Sequence, residues 1–153
     1  MCFVNRICMS SLKPLILTIV QYVTLIWLLA FNKWFPNNIF MLGFQAIGVF
    51  IGFWAIFEMS KSRLNITPVP LSGSFLVKSG PYKVVRHPMY LSLILVFAPM
   101  LTINFNLWGT ILFIIFFVNL MLKMLYEEKL LFSFFEGYPE YSEKSWKLIP
   151  FIF

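Results

Sequence analysis

The sequence predicts an all-α, polytopic membrane bundle of about four transmembrane helices. Two of these form a tight hairpin, and an amphipathic helix follows them on the cytosolic side. Three observations carry this. First, of 153 residues 60% are apolar, 20% aromatic and only 12% charged, where average soluble domains carry roughly 25% charge. Second, uncharged runs recur at lengths near the roughly 20 apolar residues a membrane helix needs. Third, the cations fall almost entirely into alternate loops. So apolar a chain is neither a water-soluble globule nor intrinsically disordered. Its length favours a single membrane domain, with residues 1–66 as N-terminal helices and 67–153 as the core.

The first span covers residues 14–31, which hold no charge and one strongly polar side chain, Gln21. Pro14 suits its first turn, where the missing N–H has no intrahelical partner anyway. The span is longer than a signal-peptide core and no small-residue cleavage site follows it, so it is expected to remain as a permanent helix. Asn32, Lys33, Pro36, Asn37 and Asn38 form a loop. The second span covers 39–57. Its Gly48–Gly52 pair lets helix backbones approach closely, within the chain or in a homodimer.

Residues 58–87 are polar, are interrupted by Pro68, Pro70, Gly73, Gly80 and Pro81, and read as a loop. Residues 88–122 then carry no charge at all. That run is too long for one span and short for two. The polar break at Thr102, Asn104 and Asn106 divides it into a hairpin with arms at 89–101 and 107–126. Pro99 is expected to kink the first arm.

Orientation follows from the cations. Arg6 and Lys13 precede the first span. Lys61, Arg63, Lys78, Lys83 and Arg86 lie between the second span and the hairpin, and Lys123, Lys129, Lys144 and Lys147 follow it. Only Lys33 falls on the other side. Both termini are therefore expected in the cytosol, of a bacterial inner membrane or an endoplasmic reticulum alike. The formal charge of +6 then signifies contact with anionic membrane lipid, not nucleic acid. All six Glu residues and the single His lie on the same side, so chemistry needing ionisable groups belongs at the cytosolic face. Cys2, Cys8 and one His make no ordinary zinc set.

Three segments could carry chemistry. In residues 76–90, Gly80-Pro81 signals a turn and Pro88 can open a helix. Arg86 and His87 then stand at a helix mouth with Tyr90 in its first turn, where free N–H groups and Arg86 favour an anion. The alternative is a set of interfacial anchors that fix topology. In residues 126–135, Glu127 and Glu128 end the hairpin's second arm; acids are unfavourable at a helix C-terminus, so the helix is expected to continue past them as an amphipathic stretch against the membrane. Acids near a membrane are costly and are functional candidates by default. The alternative is a solvated helix end with Lys123 and Glu127 as an i,i+4 pair. Adjacent helical residues point about 100° apart, so at most one of the two acids can share a given inward direction. In residues 137–150, Tyr138, Tyr141 and Trp146 suit an interfacial tail at headgroup level.

Gly80-Pro-Tyr-Lys-Val-Val-Arg-His-Pro-Met-Tyr90 resembles the G-x-Y-x-x-x-R-H-P-x-Y signature of the isoprenylcysteine carboxyl methyltransferase family and its phospholipid methyltransferase relatives. Thr67-Pro-Val-Pro70, Leu76-Val77, Glu127-Glu128, Phe134-Phe135, Tyr138, Tyr141 and Leu148-Ile-Pro150 extend the match. In the tail the family's F-G-x-x-Y-x-x-Y is displaced, and Trp146 stands where a Pro is usual. The resemblance implies an integral membrane methyltransferase that uses S-adenosylmethionine (SAM) and methylates a lipid or other lipophilic acceptor. It implies a cofactor site formed by Leu76, Val77, Tyr82, His87, Pro88, Tyr90, Glu127 and Glu128. Arg86, His87 and Glu128 would carry the chemistry. Membrane sterol reductases using NADPH carry a similar segment, usually on longer chains. A non-enzymatic membrane protein that keeps the motif for packing is the third reading.

Overall fold

The computed structural model describes residues 12–31, 33–62, 75–102 and 107–150. They form five α-helices: α1 (Leu12–Phe31), α2 (Ile39–Ser60), α3 (Pro88–Phe97), α4 (Leu107–Phe134) and α5 (Tyr138–Glu143). A 3-10 turn at Gly80–Lys83 precedes α3 and another at Ala98–Thr102 follows it. By length and composition α1, α2 and α4 can each cross a membrane, and Pro88–Thr102 is a shorter apolar helix. The protein is an all-α, multi-pass membrane bundle. Its outer faces carry exposed Phe40, Phe50, Phe53 and Ile26, as helices whose backbone bonds are satisfied internally allow in lipid.

The helices associate as two pairs, α1 on α4 and α2 on α3. Leu28, Phe97, Phe116, Leu120, Met124 and Leu148 form the main buried core, and Ala55, Val77 and Tyr82 form a second. Asn38 caps α2, its Oδ1 accepting from the Phe40 N–H at 2.9 Å; such caps satisfy one of the helix's orphan donors. Gln45 Nε2 donates to both the Trp34 and Val96 carbonyls at 3.0 Å, tying the loop before α2 to the far end of α3. The close approach expected at Gly48 is present. A Cβ there would lie 2.8 Å from Leu95 Cβ and 3.0 Å from the Ser92 carbonyl oxygen.

Several boundaries differ from the sequence reading. The second span runs on to Ser60, so Glu58 sits in the last turn of α2 and is not part of a loop. Its side chain is buried because the turn before α3 folds over it. At Pro99 the first arm is not a kinked helix: α3 ends at Phe97 and tightens into the 3-10 turn. In the second arm the continuation expected past the two acids is present. α4 runs unbroken through Glu127 and Glu128 to Phe134, so the amphipathic stretch expected after them is the end of this one helix. Among the described residues only the six-residue α5 follows. The acids do not end α4 because cations and hydroxyls from other elements meet them. Cys2, Cys8, Thr67, Pro68, Pro70, Asn104 and Asn106 lie outside the described residues.

Candidate active site

The site is built where the turn before α3, the end of α4 and the C-terminal tail meet. Gly80 opens the 3-10 turn at φ +59°, a left-handed conformation that glycine adopts without steric cost. The turn buries Pro81 and Tyr82. His87 then precedes α3 with its backbone at φ −123°, ψ 58°, outside the α region that a following proline disfavours. Its carbonyl accepts from the N–H groups of Tyr90 and Leu91 at 3.1 Å each, so the motif residues sit one turn apart at the helix mouth.

The tail folds back onto this mouth. Val85 and Trp146 form a parallel β-bridge. The Arg86 N–H donates to the Trp146 carbonyl at 2.8 Å, the Trp146 N–H to the Val84 carbonyl at 2.9 Å, and the His87 N–H to the Lys147 carbonyl at 3.2 Å. Of the aromatic residues expected at headgroup level, Trp146 is exposed, but Tyr138 and Tyr141 are buried. Tyr138 is only 1% exposed, and the Tyr141 hydroxyl donates to the Tyr82 carbonyl at 2.6 Å. Protein acceptors thus replace the water and headgroups these hydroxyls would otherwise need.

Two carboxylates organise the charged residues. Arg86 Nε donates to Glu128 Oε1 at 2.8 Å, and Arg86 Nη1 reaches the carbonyls of Ser142 and Ser145 at 2.6 and 2.5 Å. Lys147 Nζ lies 3.1 Å from Glu128 Oε2. One residue earlier, Glu127 Oε1 accepts from the Tyr90 hydroxyl at 2.5 Å. The His87 ring lies between the acids, Nδ1 3.7 Å from Glu127 and Nε2 3.6 Å from Glu128. Those separations are too long for hydrogen bonds. His87 also stacks on Tyr90 at 5.6 Å between ring centres.

Beside these residues lies a mostly apolar cleft of about 410 Å³, within the range of small-molecule and cofactor sites. Gln21 and Tyr22 of α1 wall it on one side, Gly52, Ile56 and Met59 of α2 on another. Tyr82, Arg86, His87 and Tyr90 form its polar end, with Glu127 of α4 beside them, and Lys123 of α4 also lines it. The Tyr82 hydroxyl and His87 Nε2 are buried with no hydrogen-bond partner among the described residues. Burial, with smaller contributions from Tyr141 and Glu127, pushes the Tyr82 hydroxyl well above its ordinary range. It stays neutral and able to donate.

Of the residues singled out in the sequence, the structure brings Tyr82, Arg86, His87, Tyr90 and Glu127 to this cleft. Four are not on its wall. Glu128 faces Arg86 and Lys147. Val77 packs beside Ala55, Pro88 is fully buried, and Leu76 is half-buried. The adjacent acids thus diverge as helical geometry requires. Lys123 is not paired with Glu127 by a direct bond; its ammonium donates to Gln21 Oε1 on α1 at 2.8 Å, with both groups buried. The sequence offered one signal for this pair, the single polar side chain in the first span.

A model of the isoprenylcysteine carboxyl methyltransferase (ICMT) family matches residues 41–133, more than half of the chain. The chain belongs to this family. It is a family of membrane methyltransferases. No curated protein matches the chain. The matched region holds α3, nearly all of α2 and α4, and both Glu127 and Glu128. Helix α1, which supplies Gln21, and the tail that closes over Arg86 lie outside it.

Proposed function

We propose that the protein transfers a methyl group from SAM to a lipid-borne acceptor at the cytosolic face of a membrane, with both termini in the cytosol. One observation carries the reading. Tyr82 and His87, which line the polar end of the cleft, each carry a buried polar atom, Tyr82 Oη and His87 Nε2, with no hydrogen-bond partner among the described residues. Buried polar groups are nearly always hydrogen-bonded, so a polar ligand at that end answers a need of the fold.

The residues present fit SAM. His87 Nε2 and the Tyr82 hydroxyl would hold its polar edges, and the α3 mouth favours its carboxylate. Glu127, already fixed by Tyr90, would take its amino group or ribose hydroxyls. When bound, SAM supplies an electrophilic methyl on a sulfonium. The Tyr82 and Tyr90 rings offer aromatic faces that favour such a cation. Arg86 and Glu128 hold the mouth and the tail together, so the site is positioned before ligand arrives. The opposite walls come from Tyr22, Ile56 and Met59 on the two helix pairs, which supports an acceptor presented from the lipid. The acceptors in view are a prenylcysteine carboxylate, a phospholipid amine or another lipophilic molecule.

The test is methyl transfer from SAM labelled in its methyl group to a total membrane lipid extract, using the protein in mild detergent. Label recovered in the organic phase, and lost with Tyr82→Phe combined with His87→Ala, is the expected result. Folded protein that labels nothing and binds NADPH in preference to SAM would overturn the reading.

A further inference from the structure

Glu58 is the only acid before Glu127 in the chain, and it is not among the residues that line the cleft. Its position is unfavourable on general grounds. It lies in the last turn of α2, where the helix dipole disfavours negative charge, and it is only 7% exposed. Its pairing with Lys61 at 2.8 Å does not explain the burial, because the Lys61 side chain is half exposed and such pairs contribute little.

The other contacts do explain it. Oε2 accepts a hydrogen bond from the Ser79 hydroxyl, and the Trp54 indole nitrogen and the Glu58 carboxyl both pack against Gly80. The next residue, Gly80, rests on the Glu58 side chain so closely that a Cβ would lie 2.6 Å from Glu58 Cγ. Ser79 is the residue that starts the 3-10 turn, its carbonyl accepting from the Tyr82 N–H at 3.2 Å. The path from Glu58 to Tyr82 is therefore one hydrogen bond and one rigid turn. The far side of Tyr82 is fixed separately, by the Tyr141 hydroxyl on its carbonyl.

We propose that Glu58 is a positioning residue for the cofactor end of the cleft: its carboxylate anchors the Ser79–Gly80 turn to the end of α2 and so fixes where the Tyr82 hydroxyl points. This rests on the methyltransferase reading above. It assigns a role to a residue that does not line the cleft and that lies outside the G-x-Y-x-x-x-R-H-P-x-Y segment.

The experiment is calorimetric titration of SAM into the full chain in detergent, for wild type, Glu58→Ala, Glu58→Gln, Ser79→Ala and the Glu58→Ala/Ser79→Ala double variant. Glu58→Ala is expected to weaken binding about tenfold. Glu58→Gln, whose amide oxygen can still accept from Ser79, should stay within about threefold of wild type. The double variant should bind no more weakly than Glu58→Ala, because both changes remove one interaction. A merely structural role would lower thermal stability and leave the dissociation constant unchanged, and that result overturns the proposal. So do losses that multiply in the double variant. If Glu58→Ala does not fold, Ser79→Ala removes the same bond by deleting one hydroxyl, and wild-type affinity in that variant is then the overturning result. Absence of SAM binding in folded wild type overturns the methyltransferase reading itself, and the Glu58 role with it.

Discussion

Removing the Arg86 guanidinium tests how the site is held together. Its Nε and Nη1 make hydrogen bonds to Glu128 and to the carbonyls of Ser142 and Ser145. The Arg86 and Glu128 side chains are 10% and 9% exposed. Hydrogen bonds to charged groups contribute about 1.5–3 kcal/mol each, and breaking a buried pair from one side costs about 3–5 kcal/mol. Lys147 remains 3.1 Å from Glu128 in the Arg86→Ala variant, so the acid is not left unpaired, and the lower end, about 3 kcal/mol, is the expected loss. Arg86→Lys keeps the charge, but one ammonium cannot span a carboxylate and two carbonyls. It should fall between the two, at about 1.5 kcal/mol. Denaturant unfolding in mild detergent, followed by tryptophan fluorescence, measures both; Trp146 sits on the bridge that should open. In a Glu128→Ala background, Arg86→Ala should cost at least about 1 kcal/mol less than in wild type. A loss under about 0.5 kcal/mol for Arg86→Ala, or full additivity with Glu128→Ala, would refute this account of the clasp.

Further outcomes follow from the same geometry. Tyr141→Phe deletes the bond to the Tyr82 carbonyl and should cost about 1 kcal/mol. Burial raises the Tyr141 hydroxyl to about 12, so the folded chain holds this proton more tightly than the unfolded one. The associated stability is full below about pH 10 and fades as pH rises through 12; an alkaline melting series on wild type and variant would reveal a loss that the Phe variant lacks. Gln21→Leu leaves the Lys123 ammonium without its acceptor on α1 and should destabilise by about 1–3 kcal/mol. Adding Lys123→Met should recover most of that, since replacing both partners by apolar groups is often near neutral. Gly48→Ala forces a Cβ to within 2.8 Å of Leu95 Cβ and should cost about 1–3 kcal/mol. Gly43→Ala, with nothing within 4 Å, should be neutral or stabilising by up to about 1 kcal/mol. Equal melting temperatures for the two glycine variants would contradict the packing of α2 on α3.

The membrane bundle was legible because it depends on composition and run length, which no tertiary contact overrides. The helix mouth at Arg86, His87 and Tyr90 was legible because Gly80-Pro81 and Pro88 punctuate the backbone at fixed spacing. The tail was not. Its grip on Arg86 uses the carbonyls of Ser142, Ser145 and Trp146, and every residue type carries a carbonyl. Tyr138 and Tyr141 read as interfacial because their amphipathic rings suit a headgroup layer as well as a hydroxyl-satisfying core. Lys123 and Glu127 had the spacing of a surface pair, but burial turns the ammonium toward a neutral acceptor 102 residues away in sequence. Glu58 read as loop because polarity rises one turn before α2 ends, and a single acid cannot mark a helix boundary.

The central claim is that the polar end of the cleft holds SAM. Its most direct test is calorimetric titration of SAM into the detergent-purified protein, beside His87→Ala and Glu127→Gln, with melting curves to establish folding. The account predicts binding on the order of micromolar, weakened by each substitution about tenfold, which corresponds to roughly 1.4 kcal/mol. A folded wild-type protein that takes up no SAM, or variants that bind it as well as wild type, would contradict the claim.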